Sequence, residues 1–256
     1  MENGGGQATR GHPAKGHPVR TGPAKLWACR AVVFDTDGVI IDSAGLHATA
    51  WKAAFDACPG VDPPFDQDAD YRTHVDGKSR HDGAAAFLAA RGIDDPATVS
   101  ATAARKEEEF VRLLHEQGIE ALSGAVRLLC ALHDARVRCA AVSASRHARD
   151  LLACAGVRSL LQTVVDGNDA ARLRLPGKPE PALFTEAARR LGAEPPETAV
   201  VEDALAGVAA GRRGGFALVV GVNRDPANPA AAEGLRAHGA DVVVADAGEL
   251  LTEATP

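Results

Sequence analysis

Short apolar runs recur along the chain, and segments with helical spacing separate most of them. The apolar runs lie at 30–34, 138–142, 163–165, 199–201, 217–220 and 241–244. Runs of this length and composition are typical of parallel strands that are buried on both faces. Helical spacing of apolar residues occurs at 124–134, 146–155, 181–191 and 205–213. The alternation predicts an α/β fold with an open, mostly parallel, Rossmann-like sheet and helices on both of its faces.

The stretch between the first two predicted strands breaks this alternation. It shows helical spacing at 46–56, 83–91 and 97–117 but no convincing strand. Because it is far too long for a single crossover helix, we predict an inserted helical domain, residues 44–122, which we call the cap. The core domain would then comprise residues 27–43 and 123–252.

Composition narrows the classes of function. Residues 1–26 are rich in Gly, Pro, His and Lys, which predicts a disordered tail. The net charge of −6 without a basic cluster argues against a nucleic-acid partner. No apolar run reaches the roughly 18 residues that cross a membrane. The five cysteines include no C-x-x-C pair, so we expect small buried thiols in a reducing compartment. We therefore expect a cytoplasmic protein, and we expect a monomer because no unpaired apolar stripe is evident.

Four polar clusters follow predicted strands. D-T-D-G-V begins at Asp35, V-S-A-S-R contains Ser143, G-K-P-E-P contains Lys178, and V-E-D-A-L-A-G contains Glu202 and Asp203. In an open α/β sheet, ligands bind at the carboxyl ends of the strands, where residues that are distant in sequence meet. We therefore expect the four clusters to form one site.

The acidic clusters indicate a metal site. Asp35 and Asp37 are two residues apart, so both side chains can project to the same side as the strand ends. Neighbouring carboxylates repel each other unless a cation lies between them, and Mg²⁺ is a natural hard cation for such ligands. Glu202 and Asp203 directly follow a buried apolar run, where charges need a partner or a metal. Taken alone, the first cluster is also compatible with an acidic turn.

Ser143 and Lys178 both have groups that suit a phosphate. The Ser143 hydroxyl and nearby backbone N–H groups could hold a phosphoryl oxygen, although a helix N-cap explains a serine there equally well. The Lys178 ammonium could neutralise an oxyanion or a phosphate, although a solvated surface lysine is the plainer alternative. The presence of all four clusters in this order favours the joint interpretation.

These clusters resemble the haloacid-dehalogenase-like superfamily and, within it, the β-phosphoglucomutase family. The resemblance rests on D-T-D-G-V-I-I-D at the first strand, V-D-G-K-S-R-H-D-G in the cap, V-S-A-S-R, G-K-P-E-P and V-E-D-A-L-A-G-V, and it spans residues 31–251. It implies that Asp35 is a nucleophile that becomes an aspartyl-phosphate. It also implies that Asp37 is the general acid/base and binds Mg²⁺ through its backbone carbonyl.

The resemblance implies roles for further residues. Ser143 and Lys178 would hold the transferring phosphoryl group, and Glu202 and Asp203 would join Asp35 and Asp37 at the metal. The implied substrate-binding residues are His47, Trp51, Lys52, Gly77, Arg80, Ser145 and Arg146. Arg80 would grip a second, non-transferring phosphate, although an ion pair within the cap to Asp76 or Asp82 is an alternative. Two positions depart from the family pattern: His147 stands where asparagine is commoner, and Thr36 stands where an apolar residue is usual.

The leading hypothesis is interconversion of β-D-glucose 1-phosphate and glucose 6-phosphate through a bisphosphate. The alternative is a phosphatase that hydrolyses a small sugar phosphate with the same residues, because the acceptor, a sugar hydroxyl or water, decides the reaction. A non-catalytic binder of sugar phosphates is a third interpretation, against which the intact pair of Asp35 and Asp37 argues. In each case the partner is a small sugar phosphate.

Overall fold

The sheet of this protein is a single parallel layer, seen in a computed structural model that describes residues 24–251. Its six strands run in the order β3–β2–β1–β4–β5–β6. Their bounds are β1 Ala31–Asp35, β2 Arg138–Val142, β3 Thr163–Val165, β4 Thr198–Glu202, β5 Leu218–Val222 and β6 Val242–Val244. All pairings are parallel. The predicted open parallel sheet is confirmed, and β1 lies at its centre.

Ten α-helices occur among the described residues. They are α1 Ala24–Ala28, α2 Ala44–Asp56, α3 Arg80–Ala90, α4 Pro96–Gln117, α5 Ser123–Asp134, α6 Ala148–Cys154, α7 Gly167–Leu173, α8 Ala182–Arg190, α9 Leu205–Arg213 and α10 Pro229–Ala237. A π-helical turn covers Tyr71–Val75, and 3₁₀ turns cover Arg158–Leu160, Pro195–Glu197 and Ala247–Leu251. The sequence patterns did not predict α1, α7 or α10, which have five, seven and nine residues.

The predicted boundary of the tail needs a correction. The tail was predicted to extend to residue 26, but α1 begins at Ala24 and Leu26 is fully buried. Leu26 packs into the apolar cluster on one face of the sheet, and this burial holds the helix in place. The rest of the predicted tail, residues 1–23, lies outside the described residues.

Side chains of β1 alternate between two apolar layers. Val32 and Phe34 face the cluster that includes Leu128 of α5, whereas Val33 faces the cluster that includes Phe184 of α8. This alternation follows from the two-residue period of a strand. Helices therefore cover both faces of the sheet, as predicted, and the carboxyl ends of the strands are left open to bind a ligand.

The cap contains an aromatic cluster of its own. Trp51 stacks on Phe55 with ring centroids 4.8 Å apart, and Phe55 contacts Phe87 at 4.1 Å. The two connections to the sheet run side by side, because Leu122 N–H donates to the Ile40 carbonyl at 2.8 Å. The division into a core domain and a cap domain stays a prediction, since Phe110 and Leu113 of α4 and Leu46 and Ala50 of α2 pack with the sheet-side cluster.

Helix α4, with 22 residues, is the longest helix of the cap. It begins where Asp95 accepts a hydrogen bond from the Thr98 N–H at 2.8 Å, with Pro96 in its first turn, and it ends at Gly118. Its buried face consists of Val99, Thr102, Ala103, Lys106, Phe110 and Leu113. The position of a lysine in this otherwise largely apolar stripe brings a charge to the interior side of the helix.

All five cysteines are free thiols. Cys29, Cys58 and Cys139 are buried, as expected for small apolar side chains. Cys130 and Cys154 are exposed, which corrects that expectation for two of the five. Within residues 24–251, no helix is long and apolar enough to cross a bilayer.

Candidate active site

A cleft of about 460 Å³ opens between the cap and the carboxyl ends of the strands. This volume is within the range of small-molecule sites. Eleven of the predicted site residues line it: Asp35, Asp37, His47, Trp51, Gly77, Arg80, Ser145, Arg146, Lys178, Glu202 and Asp203. The clusters at Asp35, Ser143 and Glu202 lie at the ends of β1, β2 and β4, as the strand-end argument predicted. Lys178 corrects that argument, because α7 separates it from β3 and it enters the cleft from the loop between α7 and α8.

Lys178 lies between two buried carboxylates at the floor of the cleft. Its ammonium forms an ion pair with Asp35 Oδ1 and a second one, at 2.6 Å, with Glu202 Oε2. The Lys178 side chain is 1% exposed, which excludes the surface-lysine alternative. Burial lowers the pKa of Lys178, but the charges of Asp35 and Glu202 outweigh it and leave that pKa above its usual value. The lysine is therefore held in its charged form.

Burial raises the pKa of Asp35 well above its usual range, and the neighbouring Glu202 carboxylate adds to the rise. Lys178 opposes this shift. Further positive charge beside Asp35 would stabilise its ionised form, which is the form that acts as a nucleophile. The floor of the cleft thus holds more negative charge than one ammonium neutralises.

Three carboxylates meet beside this lysine. Oxygens of Asp35, Glu202 and Asp203 all lie within 4.8 Å of one another. Glu202 is oriented by two N–H donors, those of Asp203 at 3.1 Å and Ala204 at 2.9 Å. The buried Asp203 Oδ2 has no hydrogen-bond partner among the described residues. Such a set of hard, incompletely satisfied oxygens fits a divalent cation such as Mg²⁺.

Arg224 follows β5 and faces the same acids. Its Nε lies 2.5 Å from Asp203 Oδ2, although not in hydrogen-bond geometry. Its Nη2 donates to Asp76 Oδ2 of the cap at 3.1 Å. Burial raises the pKa of Asp203 well above its usual range, and Arg224 opposes this rise. Arg224 therefore links the acidic floor to the cap.

Asp37 is turned away from the three-carboxylate cluster. Its Oδ1 accepts from the Ser43 hydroxyl at 2.6 Å and contacts His47 Nε2 at 3.3 Å, and its Oδ2 accepts from the Ser143 hydroxyl at 2.9 Å. Burial alone would raise the pKa of Asp37, but the contacts with His47, Ser43 and Ser143 outweigh it and hold the pKa below its usual value. Asp37 is therefore a carboxylate in this arrangement. The acidic-turn alternative does not account for three polar groups that converge on one carboxylate.

His47 connects Asp37 to a buried lysine. The Lys106 ammonium donates to His47 Nδ1 at 2.8 Å, so His47 Nε2 carries the proton that faces Asp37. His47 stacks on Phe110 with ring centroids 4.3 Å apart, and the ammonium lies 4.4 Å from the same ring. Burial lowers the pKa of Lys106 to about 8. Burial and the Lys106 charge also lower the pKa of His47.

Ser143 lies beneath the cavity rather than in its lining. It is fully buried, its hydroxyl donates to Asp37, and it accepts the Ser145 N–H at 3.0 Å. It is not a helix N-cap, because His147 occupies that position before α6. Its contact with a phosphoryl oxygen stays a prediction. Thr36 is fully buried and donates to the Val142 carbonyl at 2.9 Å, so it points into the sheet as expected.

Gly77 marks a close approach of the cap to the sheet. Its φ is +70°, a left-handed conformation, and a Cβ built there would lie 2.9 Å from the Cβ of Ala204. A larger residue would strain the backbone and push the cap away from the strand ends. Gly77 therefore sets the depth to which the cap descends into the cleft.

Arg80 begins α3 and lines the cap side of the cleft. Within the described chain it forms an ion pair with neither Asp76 nor Asp82, the two alternatives considered from the sequence. It pairs instead with Glu107 of α4, whose other oxygen contacts His147 Nε2. Arg80 is thus available to the cavity but is shared with a carboxylate that the sequence analysis did not single out.

Lys52 is not placed at the cleft, which corrects the expectation that it binds substrate. Its ammonium lies 2.8 Å from Asp56 Oδ2 and donates to the Phe65 carbonyl at 3.1 Å. The reason is helical geometry: His47 and Trp51 are four residues apart and share a face of α2, whereas the next residue is rotated by about 100°. Lys52 stabilises the outer surface of the cap instead.

Three residues that contact the predicted site residues were not identified from the sequence: Lys106, Glu107 and Arg224. Lys106 had a readable signal, since the spacing of Val99, Phe110 and Leu113 places it on the buried face of α4. Arg224 also had one, because it follows a strand end in the same way as the four clusters. Glu107 had none, because it is one of three consecutive glutamates and only the fold distinguishes it.

Comparison with known proteins adds independent information. A family model described as haloacid dehalogenase-like hydrolase matches residues 29–215. β-Phosphoglucomutase of Mycobacterium bovis is 45% identical over 247 residues, covering 90% of this chain and 93% of the relative. Hexitol phosphatase A of Escherichia coli is 30% identical over 210 residues, covering 78% and 86%. The crystal structure of a hydrolase from Pseudomonas syringae superposes with a TM-score of 0.73 at 27% identity, covering 86% of this chain and 95% of that one.

Proposed function

The chain belongs to the haloacid dehalogenase-like hydrolase family, and we propose that it interconverts β-D-glucose 1-phosphate and glucose 6-phosphate. It is an enzyme of phosphoryl transfer on sugar phosphates, a phosphomutase or a phosphatase. The observation that carries the finer proposal is that one cleft has Asp35 and Lys178 at its floor and Arg80 on its cap side. A substrate with phosphate at both ends suits such a cleft.

Asp35 is the nucleophile in this proposal. Its carboxylate oxygen forms a bond to phosphorus, the bond from phosphorus to the sugar oxygen breaks, and the phosphoryl group stays on Asp35 as an aspartyl-phosphate. Lys178 contacts Asp35 directly and would neutralise charge on the oxygens in transfer. A cation held by Asp35, Glu202 and Asp203 would supply further positive charge at the same oxygens. Any contribution of Asp37 to that cation falls to its backbone carbonyl, because its carboxylate faces other groups.

Asp37 is the acid/base in this proposal. As a carboxylate it accepts the proton of an attacking sugar hydroxyl, and in the reverse half-reaction it returns that proton to the leaving sugar oxygen. The two serine hydroxyls and His47 orient it, which lowers its pKa and favours the base form. The acid form would require a proton supplied as these hydrogen bonds weaken. His47 Nε2–H is placed to contribute it, provided that the Lys106 ammonium passes a proton to His47 Nδ1 at the same time, so that the imidazole stays neutral.

The closed cap favours a sugar hydroxyl over water as the acceptor. In a mutase, the phosphoenzyme must resist hydrolysis while the bisphosphate intermediate reorients in the cleft. It does so only if water is excluded from the site. Gly77 and Arg224 both bring the cap against the strand ends. These contacts support a mutase, whereas the 30% identity to a hexitol phosphatase supports hydrolysis as the second candidate.

One assay separates the two candidates. The protein is incubated with β-D-glucose 1-phosphate, Mg²⁺ and a trace of β-glucose 1,6-bisphosphate, and glucose 6-phosphate and free phosphate are measured together. Glucose 6-phosphate without comparable free phosphate supports the mutase. Free phosphate in stoichiometric amounts rejects the mutase in favour of a phosphatase. If neither β-D-glucose 1-phosphate nor the bisphosphate is consumed, the mutase is rejected as well.

We also propose that the protein acts as a monomer in a reducing compartment such as the cytoplasm. The support is the absence of disulfides among its five cysteines. Light scattering after size exclusion checks the monomer, and a mass of twice 26.4 kDa would contradict it. The non-catalytic binder considered from the sequence is rejected, because the chain is a phosphomutase or a phosphatase.

A further inference from the structure

A carboxylate bridge crosses the cleft between the cap and the sheet side of the molecule. Glu107 on α4 contacts Arg80 of α3 with one oxygen and His147 with the other. His147 belongs to the loop after β2, directly next to Ser145 and Arg146 of the cleft lining. We call this set of three residues the Glu107 bridge.

The bridge is partly exposed, so its contacts can exchange. The side chains of Arg80, Glu107 and His147 are 31%, 28% and 33% exposed. Burial alone would raise the pKa of Glu107, but His147 and Arg80 outweigh it and lower that pKa. The Glu107 carboxylate is therefore ionised, and it forms an ion pair with the Arg80 guanidinium that faces the cavity. Contacts of this kind are individually weak, which allows a more highly charged group to compete for Arg80.

We propose that Glu107 is a positioning residue that holds the cap closed through His147 and reserves Arg80 for a doubly charged group at the end of the substrate away from Asp35. This inference rests on the proposed function. Its two parts have separate physical causes: the contact with His147 joins the cap to the sheet side, whereas the contact with Arg80 lies within the cap. Breaking each part should therefore have a different consequence.

The contact with His147 governs how long the phosphoenzyme survives. When water replaces the sugar hydroxyl, its oxygen bonds to phosphorus, the bond from phosphorus to Asp35 breaks, and inorganic phosphate leaves with Asp35 restored as a carboxylate. Asp37 takes the proton of the water. A looser cap admits water more often, so weakening the contact should increase this hydrolysis.

The contact with Arg80 governs affinity at the cap side. A phosphate dianion brings more charge to the guanidinium than Glu107 does, and it can accept two parallel N–H bonds. Substrate must nevertheless displace the carboxylate. Removing the Glu107 charge should therefore lower KM for the sugar phosphate, whereas removing His147 should leave KM nearly unchanged.

The test uses the full chain with Mg²⁺, phosphorylated with β-glucose 1,6-bisphosphate. Release of inorganic phosphate from the phosphoenzyme is followed in Glu107→Gln and His147→Gln. Both substitutions should speed release about fivefold, the size of one partly exposed ion pair. Only Glu107→Gln should also lower KM, again about fivefold. The double variant should release phosphate no faster than Glu107→Gln, because both changes remove the same contact.

Glu109→Gln is the matched control. Glu109 lies on the same helix and pairs with Arg112 at 2.5 Å on the outer surface. Its substitution removes the same charge as Glu107→Gln but changes no contact at the cleft. Its phosphate release and KM should equal those of the wild type. If Glu107→Gln and His147→Gln behave like this control, the Glu107 bridge is not a latch. If KM falls equally in both variants, the reserved role of Arg80 is wrong.

The experiment separates this inference from the proposed function. A wild-type chain that takes up no phosphate from the bisphosphate overturns the proposed function, and this inference with it. A wild-type chain that becomes phosphorylated keeps the proposed function regardless of how the bridge variants behave. Thermal unfolding of each variant establishes that it is folded, and either of the two single substitutions suffices to test the latch if the other chain fails to fold.

Discussion

The two walls of the cleft hold their charges in different ways. On the sheet wall, Lys178 and Glu202 are 1% and 0% exposed and sit at or beside strand ends. On the cap wall, Arg80 and Glu107 are 31% and 28% exposed and sit on helix surfaces. Buried charges interact strongly, and removing one partner of a buried pair strongly destabilises the protein. Partly exposed charges are screened by water and can exchange partners. We propose from this difference that the sheet wall determines the chemistry and the cap wall determines which substrate is accepted.

The strongest way to break this comparison is Asp35→Asn. It removes the proposed nucleophile of the sheet wall, so the rate should fall by about 10⁴-fold or more, equivalent to about 5 kcal/mol of activation free energy. Turnover of β-D-glucose 1-phosphate and phosphorylation by the bisphosphate are both measured. Asp42→Asn, at an exposed aspartate in the same loop, is the control and should retain activity. Retention of phosphorylation in Asp35→Asn would reject Asp35 as the nucleophile.

The next largest effect is expected for Lys178→Met. The substitution removes the ammonium shared by Asp35 and Glu202, and kcat/KM should fall by about 10³-fold. Lys52→Met makes the same change at a lysine that pairs with Asp56 outside the cleft, and its kcat/KM should stay within about twofold of the wild type. An equal loss of kcat/KM in Lys178→Met and Lys52→Met would contradict a specific role of the buried lysine in the reaction.

A pH experiment sharpens the comparison at Lys106, which is buried although it belongs to the cap. Its folded pKa of about 8 lies below the ordinary 10.5, so between these values the unfolded chain binds more protons than the folded one. The contribution of Lys106 to stability therefore rises with pH from about 8 to 10.5. Below pH 8, burying the charge destabilises the fold by about 3 kcal/mol.

Lys106→Met is the variant that measures the contribution of Lys106 to the free energy of unfolding. It should be more stable than the wild type in urea unfolding at pH 7, and the difference should shrink as the pH rises through the window. The comparison between the two chains removes the contributions of other groups that titrate there. A difference in stability that is constant from pH 7 to pH 10 would mean that Lys106 keeps its ordinary pKa.

The smallest effect is expected for Arg80→Gln on the cap wall. KM for the sugar phosphate should rise by about tenfold, or about 1.4 kcal/mol, while kcat changes less. Arg72→Gln is the matched control, because Arg72 is an exposed cap arginine that lies 3.8 Å from Asp68 and does not line this cleft. A loss in kcat as large as that of Lys178→Met would contradict the assignment of substrate choice to the cap wall.

The fold was predictable where the sequence pattern is long and regular. The buried runs that became β1, β2 and β4 were read from valine and alanine spacing, because strands covered on both faces must be apolar throughout. Helix α7 was missed, because its seven residues form slightly less than two turns and their helical form depends on the Asp166 cap. The start of α1 was missed for a similar reason, since only the burial of Leu26 holds it.

The site was predictable to the extent that it follows strand ends. Asp35 and Glu202 were placed correctly because parallel strands deliver their carboxyl ends to one edge. Lys52 was placed incorrectly because a motif match ignored the rotation of a helix. The Glu107 bridge was out of reach, because Arg80 and His147 come together only when the cap folds back over the sheet.

The parallel sheet and the position of acids and a serine at its carboxyl edge were predictable from the sequence, since apolar periodicity and strand-end position are local properties. Lys178 reaches the same edge from the loop after α7, which local sequence does not show. Only the tertiary structure decided that Asp37 faces His47 and two serines while Asp203 faces Arg224, and that Glu107 occupies Arg80. These are choices of partner between residues far apart in the chain. Such choices depend on distance and burial, which exist only once the cap and the sheet have packed together.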